Sequence, residues 1–359
     1  MILQWDVYTG FMRTGARTAV VTAVLAMASA CGGGGNPTQP DSGGSTPPGT
    51  GHIVTGTTVN ALTDGAASGV TIATGGAALG VTSATGTFSV SVGTSGNNRI
   101  TLSNPGFVER QTGIQAPSLN LRLSLIPATG FDLARFDQMF RHTSSGILAR
   151  WTSPPHLLIE RRVLQFTDVG AASYAALTDT LTDQEVATIT TDLTDGYAIL
   201  TDGKLGTFAS VSQQTTATGS TVAVGNEGRI VVTRVEGLTS ATGFWGYARW
   251  STTPDGQVTR GFMMVDATFA RSASPAHVPY KRSLHMHELG HTLGCQHVVG
   301  IESVMNSSAR IEPNTFDRSA ARIAMLRPVG NRTPDIDPTG HAATTASPTS
   351  AKPLWHGAH

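Results

Sequence analysis

The chain has 359 residues, room for two domains with tails, and its 24 basic and 24 acidic residues cancel. That balance, at only 13% charged residues, excludes a nucleic-acid surface, which needs a clustered basic excess. Abundant Gly, Thr, Ser and Ala favour β-structure and turns over long charged helices.

Met12-Arg13-Thr14-Gly15-Ala16-Arg17, the apolar run Thr18–Ala30 and then Cys31 with four glycines read as an export signal. The signal is expected to start at Met12. Its apolar run is shorter than the roughly 20 residues a membrane-spanning helix needs. Ala28-Ser29-Ala30-Cys31 resembles a bacterial lipobox, which implies lipidation of Cys31 and a membrane anchor. The same residues also allow plain secretion, with cleavage near Ala30. Either way residues 1–31 lead us to expect the protein in the cell envelope, periplasmic or at the surface, or outside the cell. Residues 32–51 are rich in Gly, Pro, Ser and Thr and cannot bury a core, so they are expected to form a flexible tether.

Residues 52–127 alternate short β-rich runs with turn residues. Gly69–Ala73, Gly86–Val92 and Leu119–Leu125 are strand candidates, the last two with period-two patterning. With Pro105-Gly106-Phe107 as an intervening turn, this order resembles the carboxypeptidase-regulatory-like β-sandwich. No cluster of His, Asp or Glu in it suggests chemistry, so a spacer or adhesion module is expected.

A second domain is expected over 131–328. Leu157–Glu160 reads as its first strand. Thr182-Asp183-Gln184-Glu185 is a capping box, opening a helix whose apolar positions are Val186, Ile189, Leu193, Tyr197 and Leu200. Arg229–Val235 and Phe262–Ala267 are further strand candidates, and Arg318–Leu326 reads as a closing helix stopped by Pro328.

The chemistry concentrates in His287-Glu288-Leu289-Gly290-His291-Thr292-Leu293-Gly294-Cys295-Gln296-His297. A helix over Tyr280–Leu293 sets His287 and His291 one turn apart on one face, where both imidazoles reach one zinc ion. Glu288 lies beside the ion and is expected to act as general base on a water. Gly294 takes the left-handed conformation that ends a helix, turning the chain so that His297 returns as third ligand. Three histidines leave one position open, the mark of a catalytic zinc. From this chain's own residue frequencies the pattern arises by chance with odds of order 10⁻⁵.

This run resembles the signature of the metzincin metallopeptidases. Met305 in Ser303-Val304-Met305-Asn306 follows His297 by a matrixin-like spacing, and the resemblance implies that it supports the ligand histidines from a tight turn. Ser307 stands where some branches carry a Tyr ligand, and no P-R-C-G latency sequence exists. The resemblance also implies a strand at the cleft rim that pairs with extended substrate, for which the Phe262–Ala267 strand or its flank is the candidate. Cys295 is expected to pack in the interior, and His285 to be structural or at the surface.

The expected fold class is α+β: a metzincin-like catalytic domain, with a mixed twisted sheet and a zinc-binding helix, preceded by a small all-β sandwich. One zinc ion is the expected cofactor and a protein or peptide the expected substrate. A structural calcium at Asp335 and Asp337 is an option that nothing in the sequence indicates, and residues 329–359 are expected to be a disordered tail. A surface-anchored binding or adhesion lipoprotein on an inactive peptidase scaffold is the alternative. It would show a lost Glu or ligand, whereas all four residues are present.

Overall fold

The structure is a computed structural model that describes residues 51–142, 144–306 and 311–340, and the backbone of 354–358. The export signal, Cys31, nearly all of the tether, Ser307 and residues 341–353 lie outside the described residues.

The chain from residue 52 opens with seven strands: β1 (His52–Asn60), β2 (Thr71–Thr74), β3 (Ala77–Val81), β4 (Thr87–Val92), β5 (Gly96–Ser103), β6 (Arg110–Ala116) and β7 (Ser118–Leu125). They form a three-stranded sheet, β4-β1-β7, and a four-stranded sheet, β3-β2-β5-β6. Alternation builds the layer between them. Phe88, Val90 and Val92 of β4 point inward while their neighbours are exposed, and they share a core with Val54, Ile72, Ile100, Leu102, Ile114, Leu123 and Leu125. Both sheets thus bury one face, as a β-sandwich must.

The rest of the chain is a mixed α+β unit. Its order is α1 (Leu133–Phe140), β8 (His156–Glu160), β9 (Arg162–Gln165), β10 (Ser173–Thr180), α2 (Asp183–Leu200), β11 (Ser210–Gln214), β12 (Thr221–Ala223), β13 (Arg229–Glu236), α3 (Leu238–Thr242), β14 (Gly246–Thr252), β15 (Val258–Asp266), α4 (Ala267–Arg271), α5 (Lys281–Thr292), α6 (Thr315–Met325) and β16 (Leu354–Ala358). One sheet runs β12-β10-β9-β13-β15-β14-β16, with β8 and β11 joined beside β13. β13 is parallel to β8, β9 and β15, whereas β14 runs antiparallel to β15.

Helix α2 forms as its sequence pattern requires. The Thr182 hydroxyl accepts from the Glu185 amide and the Glu185 carboxylate accepts from the Thr182 amide, closing the expected capping box. Val186, Ile189, Leu193, Tyr197 and Leu200 are all buried, each contributing roughly 1.5–3 kcal/mol if left fully exposed otherwise. Gly196 brings α2 close to α5: a Cβ there would sit 3.0 Å from the Met286 side chain. Packing α2 against one side of α5 and β14 and β15 against the other fixes the helix that carries the histidines.

Residues 329–337, expected in a disordered tail, are docked on the fold instead, although Arg332, Thr333 and Pro334 stay exposed. Asn331, Asp335 and Asp337 have almost no exposed surface. The segment is zipped to β6 by the Gln111 amide donating to Asp335 O and the Asp337 amide donating to Gln111 O. All four carboxylate oxygens of the two aspartates accept hydrogen bonds. Arg327 donates to both oxygens of Asp335, Arg110 to one of Asp337, and Asn331 to one of each. Guanidinium groups already neutralise these carboxylates, so the calcium option falls. Because Arg327 also donates to Ser124 of β7, the knot ties the sandwich to the segment that follows α6. Beyond this segment β16 pairs with β14, a second departure from a tail without structure. Among the described residues no helix is long and apolar enough to cross a membrane.

Candidate metal centre

Helix α5 covers Lys281–Thr292, and its one-turn repeat sets His287 beside His291. The chain then leaves the helix at Gly294, whose φ of +104° is in the left-handed region. A Cβ at Gly294 would also lie 2.7 Å from the Ala149 carbonyl oxygen, so glycine is required there on two counts. The returning loop is held by the Gln296 amide donating to Met139 O of α1 and the Val298 amide donating to Met305 O. His297 is delivered by this turn.

The three side chains converge. Nε2 of His287 lies 3.1 Å from Nε2 of His297 and of His291, and the last pair is 3.2 Å apart. Their far nitrogens decide what this closeness means. Nδ1 of His287 is 2.6 Å from the Val304 carbonyl oxygen, and Nδ1 of His291 is 2.8 Å from that of Cys295. A carbonyl only accepts, so both Nδ1 atoms carry the proton and both Nε2 atoms present lone pairs. Two lone pairs facing each other at this distance repel unless a cation lies between them. Ligands at 2.0–2.1 Å from a tetrahedral ion stand about 3.3 Å apart, close to what is observed. The three histidines therefore lie close enough to hold one metal ion. Burial also disfavours the imidazolium form of His287, pushing its pKa down despite the opposing bond to Val304, and a neutral imidazole is what a metal requires. Cys295 is buried in the main core, its thiol pushed up by burial, and does not belong to the cluster.

Glu288 is 1% exposed. Its Oε2 is a buried atom with no hydrogen-bond partner, and burial pushes the carboxyl well above the usual carboxylate range. A neighbouring cation would favour its anion. Together with His287, His297, Trp245, Gly246 and Tyr280 it lines an open cleft of about 610 Å³.

Beneath the histidines, Met305 is fully buried. A Cβ on Gly290 would lie 2.3 Å from its Sδ, so Met305 occupies the space left by the glycine between the two helical ligands. The turn that carries it is anchored by a residue that sequence reading missed. Asp317 of α6 accepts from Ser303 Oγ at 2.6 Å and from the Val304 amide at 3.0 Å. Since the Val304 carbonyl orients His287, Asp317 positions a ligand through the turn. Its one legible signal was Asn314-x-x-Asp317, a capping box that opens α6. Trp250 of β14 lies parallel to His291, ring centroids 5.8 Å apart. His285 proves buried and structural: Arg234 donates to its Nε2 at 3.0 Å, and its Nδ1 donates to Asp192 at 2.7 Å, tying α5 to β13 and α2.

Of the rim-strand candidates, Phe262–Ala267 or its flank, the first does not hold. Phe262–Asp266 lies within β15, paired on both sides by β13 and β14, and has no free edge to offer a substrate. The strand beside the cleft is β14. A Cβ on its first residue, Gly246, would lie 2.4 Å from Glu288 Oε1. Gly246 has no left-handed backbone, and the obstructing atoms belong to a flexible side chain. Gly246→Ala is therefore expected to keep the melting temperature and metal content while displacing the carboxylate, lowering kcat/KM on a peptide by about 10²-fold. Unchanged kinetics would show that Glu288 needs no fixed position.

A scan of protein-family models and a search of curated proteins find no match to this chain.

Proposed function

We propose that this chain is an exported zinc-dependent endopeptidase of the metzincin type, anchored in the cell envelope through a lipid on Cys31 or secreted. The observation that carries the reading is the triangle of facing Nε2 atoms with the partnerless Glu288 Oε2 beside it, at the wall of an open cleft. Met305 packed against Gly290 supports the reading, because the resemblance implies a methionine beneath the helical histidines. Three neutral imidazoles suit zinc and leave an open coordination position.

His287, His291 and His297 would hold the ion. When bound, zinc supplies a Lewis acid for the scissile carbonyl and acidifies water. Glu288 takes the proton of the attacking water at Oε2 and returns it to the departing amine nitrogen. Gly246 leaves the carboxylate room to do so. With β16 displaced from it, the outer edge of β14 would present backbone N–H and C=O groups on which an extended peptide is laid by strand addition, and Trp245, stacked on Phe269 at 4.4 Å, gives the cleft a stiff apolar wall.

The test is metal content with chelator-dependent cleavage. The purified protein is expected to carry one equivalent of zinc and to cleave a proteome-derived peptide library. Chelator should abolish cleavage and added zinc restore it. Zinc retained without cleavage of any peptide would instead favour the binding or adhesion reading.

A further inference from the structure

β14, whose first residue Gly246 lines the cleft, already carries a strand along its outer edge. β16, drawn from the last residues of the chain, pairs with it antiparallel from Thr252–Leu354 to Ala248–Ala358. Direction matters here. β16 enters opposite the far end of β14 and runs towards Gly246, the residue whose Cα faces Glu288. Its pairing stops two residues of β14 short of that glycine. The C-terminal segment thus travels along the rim towards the buried carboxylate, using the backbone pairing that an extended peptide would use. Pro353 precedes the first paired residue and, lacking an N–H, marks where such pairing begins. The intervening chain, 341–353, can span up to ~45 Å, so covalent reach does not restrict the docking.

We propose that the β14 edge is a peptide-docking strand and that Leu354–Ala358 is its resident ligand, an intramolecular competitor for the substrate path into the His287–Glu288 cleft. A bare edge strand invites foreign pairing, and this segment covers it. Five paired residues make a weak ligand, but tethering raises its effective concentration to the millimolar range. Docking is therefore strong enough to tax a dilute substrate and weak enough for a concentrated one to displace. The docking itself stands on strand pairing alone; the competition rests on the peptidase reading.

The experiment compares the full chain with one ending at Gly340, and adds His356→Pro in the full chain, which removes a ladder N–H without changing length. Amide hydrogen exchange over Gly246–Thr252 is the first readout. Both altered chains are expected to exchange about tenfold faster there, and a synthetic peptide of residues 352–359 should restore protection to the truncated one. Substrate kinetics are the second: KM is expected to fall about fivefold in both altered chains with kcat unchanged, as follows when a competitor occupies most of the protein. Exchange that does not change in either altered chain overturns the docking. Faster exchange with unchanged KM overturns the competition. Faster exchange in chains that cleave no peptide supports the docking and overturns the peptidase reading alone.

Discussion

Exchanging Glu288 for Gln is expected to leave the metal in place and lower peptide hydrolysis by about 10²–10⁴-fold, the usual contribution of a positioned acid–base group. Gln matches Glu in shape, so the packing that buries residue 288 is kept. It lacks only the ability to accept a proton. Glu288 stands outside the histidine cluster, and its Oε2 bonds to nothing in the protein, so the substitution breaks no structural contact at that atom. Metal analysis beside initial rates separates the outcomes. Loss of zinc together with activity would make Glu288 part of the metal's support, and a rate within tenfold of the natural chain would remove it as the base.

The second large effect lies away from the cleft. Arg327→Met is expected to destabilise the fold by about 3–5 kcal/mol, the usual result of stripping one partner from a buried ion pair. Arg327 is 1% exposed and donates to both Asp335 oxygens at 2.6 Å. Met fills similar length but leaves that carboxylate buried beside Asp337 with less positive charge to offset it. Urea unfolding measures the change. Arg327→Met combined with Asp335→Leu should recover most of the loss, because an apolar pair carries no stranded charge. A single-variant loss below about 1 kcal/mol would show that Asp335 finds another partner. The same knot sets an acid limit. Burial pushes the Asp337 carboxyl up, but Arg110, Thr112 and Arg327 outweigh it and hold its pKa below the ordinary 3.8. Its share of stability is complete above that unfolded value and is lost as pH falls from there through the lower folded value.

The elements most legible in the sequence are those governed by near neighbours in the chain. The five buried positions of α2 and its capping box follow from a helical period and an end signal. So do the i, i+4 placement of His287 and His291, the left-handed Gly294 and the return of His297, because each is a matter of backbone geometry within a dozen residues. Cys295 packs in the core as the resemblance implied. What stayed hidden depends on residues far apart. Phe262–Ala267 reads as a strand, but nothing local says that both its edges are taken and that β14 borders the cleft. Asp317 looks like a helix cap, and only the fold shows the same carboxylate gripping the turn that orients His287.

The histidine run by itself therefore brings three imidazoles and a carboxylate close together, since a helix and one glycine turn are enough. Tertiary structure decides what surrounds them: Met305 in the space of Gly290, Gly246 against Glu288, and guanidiniums rather than calcium on Asp335 and Asp337. It also decides that the last strand lies along β14. Local geometry is written in consecutive residues, whereas partner choice across the sheet depends on which distant surfaces burial brings together.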